Sequence, residues 1–365
     1  MDLYTVTTSY AQLRQKYRGF SSPTVRIYID GVDIAEKKGI MFSDVSINLS
    51  IDSSASSCSF NIIGEYEYKN TAYSKNDITE ILEIGARVSI EIGYIVTENI
   101  FHGLIMEVEY AMDEGEAPHI HVECMDAKCL LMKRQVTALH QDKKITDVIS
   151  DIFQESPFNT YVRDINVEPF GEPYEMITSG NEDNYQFIMH NAKEIGYEFF
   201  ILQGHVYFHP CGEGSSKAPI MTLSPEYGLR SFKMCLRGSS LYNTVTVIGM
   251  NNDTNKPIRE EVTISPSISN YANRILDEAD KTYKDYSIDN AQRAKDKAKA
   301  LMSGAQNEFI NLSGTCVGIP ELGPGRKISI QGISPQGDKE FYLISVHHTL
   351  NESGFSTSWE ARMNV

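Results

Sequence analysis

The sequence predicts a mainly β protein in which two similar antiparallel β-barrel domains flank a small α+β domain. Short runs that alternate apolar and polar residues, joined by Gly- or Asn-containing turns, are typical of half-buried strands in a barrel or sandwich. One set of such runs, within 40–126, is echoed within 228–363. Between these two sets, apolar residues at helical spacing predict the α+β domain.

The echo between the two β-regions keeps the same order along the chain. From Gly85/Gly325 to Glu123/Glu360, the offset between matching positions changes only from about 240 to about 237 residues, which a short insertion in a turn explains. Two unrelated meanders also share Gly turns and Val/Ile alternation, but several matching blocks in one order favour a duplicated module. The matches are 45–49 with 232–236, 60–64 with 245–249, Gly85 with Gly325, Ser89 with Ser329, Ile90 with Ile330, Val108 with Val346, and Glu123 with Glu360.

Four parts follow from these patterns. The residues Tyr10 to Tyr17 predict a short helix with Ser9 as its N-cap, within an arm that we expect to order against a neighbour or to stay loose. An Ala/Lys-rich helix is predicted near 287–303, and we expect its Lys/Arg face to lie in solvent. In chain order the parts are an N-terminal arm at 1–22, β-domain 1 at 23–127, the α+β domain at 128–223 and β-domain 2 at 224–365.

Two helices and a hairpin are predicted in the middle domain. The first helix carries apolar residues at helical spacing and ends near Pro157. The second is capped by Asn181 and ends at Gly196, which suits a left-handed C′ position; a tight hairpin follows at 197–208. The stripe of the first helix is Ile145, Val148, Ile149 and Ile152, and that of the second is Phe187, Ile188, Ala192 and Ile195. In the β-domains we expect one core around Trp359, Val346 and Ile330, and another around Val108, Ile90 and Ile62.

Composition excludes several classes of protein. The formal net charge is −16 and the isoelectric point is near 5.0, which disfavours nucleic-acid binding by phosphate neutralisation. No run of about 20 apolar residues predicts a membrane-spanning helix, so no stable membrane insertion is expected. The N-terminus lacks the apolar segment of a signal peptide. The six cysteines are scattered without a CxxC motif and are expected to be reduced thiols.

No constellation of residues predicts catalysis, a cofactor or a metal site, so we expect no enzyme. On a strand, His205 and His209 lie roughly 13 Å apart at about 3.3 Å per residue, too far to share an ion with each other and Cys211. The turn at 323–327 lacks the spacing of a phosphate-binding loop and precedes a strand. The remaining candidates are expected to be plain surface groups without a pocket, namely His119, His121, His347, His348, and the acid pairs Glu114/Glu116 and Glu260/Glu261.

The residues from Asn181 through the hairpin at 197–208, with Gly196 and the aromatic strand after it, resemble a signature of phage late control protein D. The same signature is found in the hub part of the valine-glycine-repeat spike proteins of type VI secretion. The run Gly318 to Gly325 and the strand 342–348 are similar to the same family. The resemblance covers most of the chain, and the order of its motifs is more specific than any one of them.

This resemblance implies a baseplate hub of a contractile tail. In that family three copies form a hollow homotrimeric ring with two tube-like β-domains per chain. Six domains would then face the sixfold tail tube protein while the trimer faces the threefold central spike protein. DNA or protein cargo would pass through the central channel without specific binding, beside other baseplate proteins. The chain stops at Val365 with no fused spike, which favours a phage virion, a tailocin or another contractile injection particle, made in the bacterial cytoplasm.

Three alternatives stay open at this stage. The acidic charge either lines the channel and repels an acidic cargo, or faces outward as on an ordinary soluble protein. A cell-wall-degrading tail enzyme, a peptidoglycan hydrolase, is the main functional rival. A monomeric carbohydrate-binding β-protein is another, although a single Trp makes an aromatic groove harder to build.

Overall fold

The mainly β architecture with large antiparallel sheets is confirmed. None of the helices in the described ranges is both long and apolar enough to cross a bilayer. The computed structural model describes residues 7–51, 55–63, 66–67, 72–73, 81–112, 114, 118–134, 139–178, 180–212, 217–251, 254–334 and 337–363.

The N-terminal third is built from strands, with one short helix before the first strand and another after the second. Its period-2 burial follows directly from the alternating sequence, as in the strand 57–63. The elements are α1 Tyr10–Lys16, β1 Thr24–Ile29, β2 Val32–Asp33, α2 Ile34–Lys38, β3 Met41–Ser50, β4 Ser57–Ile63, β5 Tyr66–Glu67, β6 Ala72–Tyr73, β7 Arg87–Gly93, β8 Thr97–Ala111 and β9 His119–Met125.

The middle third mixes helices with short strands around a core of its own, which contains the predicted helix stripes. The hairpin after Gly196 is present, and this glycine ends the helix with a φ of 73°. Its elements are α3 Lys128–Leu131, β10 Leu139–Lys143, α4 Ile145–Gln154, α5 Phe158–Tyr161, β11 Asp164–Val167, β12 Tyr174–Thr178, α6 Asn184–Ile195, β13 Tyr197–Leu202 and β14 His205–Pro210.

The C-terminal part returns to long strands, with a second group of helices in its first half. Its elements are β15 Thr222–Leu223, β16 Leu229–Leu236, β17 Thr244–Asn251, β18 Lys256–Thr263, α7 Pro266–Leu276, β19 Asp280–Lys284, α8 Ala291–Asn307, β20 Ile310–Val317, β21 Lys327–Ile330, β22 Glu340–Asn351 and β23 Gly354–Arg362.

One sheet of thirteen strands runs through both β-regions. We call β3, β4, β7, β8 and β9 the first β-module, and β16, β20, β21, β22 and β23 the second β-module. The two modules meet where β22 pairs with β3 in antiparallel register. The strand order is β16-β20-β23-β22-β3-β4-β9-β8-β7-β1-β2, with β21 beside β22 and β15 beside β21.

Both modules use the same strand order, since β3-β4-β9-β8-β7 in the first is matched by β16-β20-β23-β22-β21 in the second. The register of β8 on β9 shifts between Ile105 and Glu107, and β22 shifts on β23 at the equivalent step. The Gly85 amide donates to the Ile105 carbonyl at 2.8 Å, and the Gly325 amide donates to the Leu343 carbonyl at 2.9 Å. The repeat read from the sequence therefore extends to matching bulges and hydrogen bonds.

One block of the predicted repeat is wrong. The run 245–249 lies in β17, which belongs to a separate three-stranded sheet with β18 and β19. By strand order, the counterpart of β4 is β20. The insertion into the second module is therefore larger than the predicted helix near 287–303, because it runs from β17 to the end of α8. Alternation marks a strand but does not encode its partner.

Several local expectations are corrected by packing. Helix α1 packs on the chain's own core, with Leu13 and Tyr17 buried, so it does not stand apart from the chain. Asp183, not Asn181, caps α6 through a capping box with Gln186. On α8, Lys297 is buried and forms an ion pair with Glu194 of α6, although we expected the basic face in solvent.

The two predicted β-cores form one continuous cluster. Ile62 and Ile90 of the first module and Ile330, Val346 and Trp359 of the second are buried as expected. The sixth predicted core residue, Val108, is only half-buried. It lies on the part of β8 that extends beyond β7, where one edge of the strand has no neighbour among the described residues.

Candidate assembly surface

The junction between the modules is a seam of six residue pairs from Ser345/Ser50 to Leu350/Val45. Its apolar side packs in the core: Ile47 and Val346 are each 0% exposed, and only Leu350, at the end of the seam, is partly exposed. On the other side, the Ser46 hydroxyl and His347 Nε2 lie 2.8 Å apart. Antiparallel pairing alternates these two kinds of side chain, so the seam is apolar on one face of the sheet and polar on the other.

His348 lies inside this seam, and its predicted place at the surface is wrong. Its ring is 0% exposed, with Nδ1 2.9 Å from the Thr357 hydroxyl and Nε2 3.1 Å from the Leu322 carbonyl. A carbonyl only accepts, so Nε2 carries the proton and the Thr357 hydroxyl donates to Nδ1. Burial lowers the pKa of His348 to about 4, because the apolar surroundings disfavour the charged ring.

The polar face of the sheet forms an open cavity of about 900 Å³ across both modules. Its lining is dominated by hydroxyl and amide side chains, with one carboxylate, Glu360, and one ammonium group, Lys233. The hydroxyl and amide residues come from β16, β20, β22, β23, β3 and β4: Ser46, Asn48, Ser50, Ser57, Ser231, Ser313, Thr315, Ser345 and Ser358. This part of the face is close to neutral.

Each of the two β-modules has a strand edge without a paired neighbour in the part of the chain that the structure describes. One is the end of β8, residues 107–111, which pairs with β9 on one side only. The other is β16, which pairs with β20 only. Apolar side chains near these edges are exposed: Tyr110 by 54%, Met112 by 67% and Leu236 by 46%. An exposed edge with apolar side chains is a template for pairing with another chain.

The middle domain is fastened to both modules. Glu198 of β13 is buried against the second module, where it accepts a hydrogen bond from the Tyr342 hydroxyl at 2.5 Å; it also accepts one from the Gly212 amide of its own domain at 3.0 Å. Burial raises the pKa of Glu198, although these donors oppose that effect. On the first module, the Tyr161 hydroxyl donates to the Gly85 carbonyl at 2.8 Å. The domain therefore braces the two modules from one side.

Of the residues weighed for a metal site, His205 and His209 have different partners. His205 Nδ1 is 2.8 Å from Asp164, whereas His209 Nδ1 faces Glu198 at 3.6 Å. Within the described ranges, no group of three or more His, Cys, Asp or Glu is placed to hold a metal ion. Glu261 pairs with Arg259 on an exposed strand, and Glu116 lies outside the described residues.

Sequence comparison identifies the family. The model of the Alg8 N-terminal domain matches residues 21–352. The chain belongs to the Alg8 N-terminal domain family. No curated protein matches this member of the family in sequence.

Solved structures share the fold of this Alg8 N-terminal domain at low sequence identity. A tail protein from Neisseria meningitidis has a TM-score of 0.69 at 14% identity, covering 94% of this chain and 97% of that one. The 43 kDa tail protein of prophage MuSo2 from Shewanella oneidensis has a TM-score of 0.68 at 14% identity, covering 93% and 98%. A type VI secretion component from E. coli has a TM-score of 0.58 at 12% identity, covering 92% and 76%. The predicted resemblance to the tail hub fold is thus confirmed.

Sequence reasoning missed the two free edges of this Alg8 N-terminal domain. A signal was present, because 45–49 aligns with 232–236, and the first of these runs is buried at the seam. A run of the same pattern in the second module needs an equivalent neighbour. That neighbour is absent from the described residues beside β16.

Proposed function

We propose that the chain is a structural subunit of the baseplate hub of a contractile tail or injection particle. Three copies form a ring that adapts a sixfold tail tube to a threefold spike and leaves a central channel. The observation that carries this proposal is the repeat of one strand order, with its bulge and glycine hydrogen bond, inside a single chain. Three chains with two equivalent modules each offer six similar units.

The parts of the chain take separate roles in this proposal. The two tube-like β-barrel domains, 23–127 and 224–365, form the ring, and the α+β domain at 128–223 braces it from outside. The helix within the arm at 1–22 lies between the β-regions, where Lys16 forms ion pairs with Glu98 at 2.6 Å and Glu321 at 2.8 Å.

The hydroxyl-rich face of the sheet is the proposed channel wall. DNA or protein cargo passes it without specific binding, because the lining of the cavity has no cluster of like charge to hold either. The expectation that acids line the channel gains no support from this region, since Glu360 and Lys233 are its charged pair. We place most of the acidic charge on other surfaces.

The role is non-catalytic in this proposal, and the protein resides in the baseplate of a virion or injection particle after synthesis in the bacterial cytoplasm. Its buried carboxylate Glu198 is held by hydrogen bonds from Tyr342 of the second β-module and from Gly212 of its own domain, which is a structural use of an acid. The purified chain is expected to leave a peptidoglycan suspension turbid. Clearing that disappears in an acid-to-alanine variant would favour the hydrolase instead.

The decisive experiment is the mass and symmetry of the assembly. We expect light scattering and electron microscopy of the chain, alone or mixed with its own tube and spike proteins, to give a ring of three 41.0 kDa subunits. A ring of six chains, or a chain that stays monomeric with both partners present, would overturn the proposal. A chain that is monomeric only in isolation calls for the mixed sample.

A further inference from the structure

We infer that neighbouring copies of this chain join through the end of β8 of one copy and β16 of the next, in the register that β22 and β3 already adopt within one chain. This inference rests on the proposed ring and names the surfaces that close it. The seam joins β22 of the second module to β3 of the first. The counterparts of these two strands, β8 and β16, have no such partner among the described residues of one chain.

The equivalence of the strands fixes which edges correspond. β8 and β22 share the bulge and the glycine hydrogen bond, so residue 107 corresponds to 345. Through β4 and β20, Ser46 corresponds to Lys233, because both stand opposite a serine that in turn faces Glu123 or Glu360. Along one edge of β22, the beginning of the strand pairs with β21 and the rest pairs with β3. Along the same edge of β8, the beginning of the strand pairs with β7, and the rest pairs with nothing among the described strands.

Transferring the seam register onto the free edges gives a defined set of contacts between copies. Each contact joins a residue of β8 or its end to a residue of β16 or its end in the next copy. The pairs, in order, are Glu107 with Arg237, Val108 with Leu236, Glu109 with Cys235, Tyr110 with Met234, Ala111 with Lys233, and Met112 with Phe232.

The apolar side of this contact matches the enclosed side of the seam. Within the chain, the core-facing positions Leu49 and Val346 are 3% and 0% exposed. Their counterparts Leu236 and Val108 are exposed and half-buried. Pairing the two edges would cover Leu236 and Tyr110 in the way that the seam covers its own apolar residues.

The polar side of the contact is complementary in charge. The free edge of β8 carries Glu107 and Glu109, and the free edge of β16 carries Lys233 and continues to Arg237; all four are exposed. In the transferred register Glu107 stands opposite Arg237, and Glu109 lies diagonal to both basic residues. Opposite charges across antiparallel strands favour one register and one partner. The equivalent seam positions within the chain, Ser50 and Ser345, are uncharged.

A single substitution tests this register. In Glu109→Cys, the new thiol lies opposite the native Cys235 of the neighbour, and opposed Cα atoms about 4.5–5.5 Å apart fit a disulfide. Within one chain the two strands are seven steps apart in the sheet and are not paired with each other, so no bridge is expected there. We expect mild oxidation to give covalent dimers and trimers on a non-reducing gel, ending at the trimer.

Two matched controls separate register from reactivity. Glu109→Cys combined with Cys235→Ser removes the native thiol and is expected to abolish the ladder. Glu107→Cys places the thiol two residues away on the same face, and is expected to give at least about tenfold less cross-linked product, because a diagonal pair is about 7–8 Å apart. An equal yield from Glu107→Cys would overturn the proposed register.

Charge exchange provides an independent readout. Glu107→Arg puts like charges opposite each other and is expected to raise the dissociation constant of the ring about tenfold at low salt. Glu107→Arg with Arg237→Glu restores the pair and most of the affinity. Two single variants whose losses merely add in the double variant would contradict the contact.

The outcomes also distinguish this inference from the proposed function. A trimer by mass that gives no Glu109→Cys ladder would leave the hub intact and overturn the edge pairing. A ladder that runs past the trimer would support the edge pairing and overturn the threefold ring. No assembly at all with tube and spike proteins would overturn both.

Discussion

At one equivalent position in their cores, the two β-modules place the large aromatic residue on different strands. In the first module Phe60 of β4 stands opposite Val122 of β9. At the equivalent place in the second module, Gly314 of β20 stands opposite Trp359 of β23. A Cβ at Gly314 would lie 2.4 Å from Trp359 Cζ2, so the indole occupies the space that the Phe60 side chain fills in the other module. The repeat therefore conserves strand order and bulge while each core is packed by its own residues.

A second difference between the modules lies at their edges. His348 of β22 is 0% exposed, whereas Tyr110, its counterpart on β8, is 54% exposed. The residue types alone do not explain this, because tyrosine is no more polar than histidine. The seam covers one position and nothing described covers the other. The difference in exposure between these equivalent positions is therefore due to the neighbouring strand, and not to the module itself.

The largest expected effect comes from exchanging the packing of one module for that of the other. Gly314→Phe overfills the core against Trp359, and Trp359→Val leaves a cavity; each is expected to lower the free energy of unfolding by about 3 kcal/mol. The double variant recreates the Phe60/Val122 arrangement and is expected to recover at least half of the summed loss. Urea unfolding of the wild type, both single variants and the double variant measures these losses. Circular dichroism is the signal, because Trp359 is the sole tryptophan and two of the variants lack its fluorescence. Strictly additive losses would mean that the two modules are not interchangeable here.

A pH-dependent effect, smaller than these within any one pH unit, is expected from His348. Its pKa is about 4 in the folded chain against an ordinary 6.5, so the unfolded chain takes up the proton first as the pH falls. Its stabilising contribution is full above pH 6.5 and is lost between pH 6.5 and 4, by up to about 1.4 kcal/mol per pH unit. His348→Gln is expected to flatten part of this slope in urea titrations.

The smallest effect is expected to be the same in both modules. Gly85 and Gly325 have φ values of 91° and 80°, a left-handed region that costs other residues about 1–2 kcal/mol. Alanine at either position should lower the free energy of unfolding by a similar amount in that range. A marked inequality between Gly85→Ala and Gly325→Ala would weaken the equivalence of the two turns.

Gly304 lies within α8, and a Cβ at this position would have nothing within 4 Å. Gly304→Ala should therefore stabilise the chain by up to about 1 kcal/mol.

The accuracy of the predictions from the sequence depended on the distance along the chain between the interacting residues. Local signals were reliable: the spacing of Ile145 and Val148 predicted α4, and Gly196 predicted the end of α6. Within a few residues, competing polar groups already mattered, since Asp183 took the cap expected of Asn181. Across the chain, a basic helix face did not reveal that Lys297 would meet Glu194 of α6.

The sequence by itself determined many of the strands, the helices α1, α4, α6 and α8, and the fact of a repeat, because alternation, helical spacing and glycine turns are properties of neighbouring residues. Only the tertiary structure decided that β20 is the counterpart of β4, that β22 pairs with β3, and that His348 is buried while Val108 is half-buried. These outcomes depend on which strand lies alongside which, and strand pairing is a contact between distant parts of the chain that no local pattern specifies.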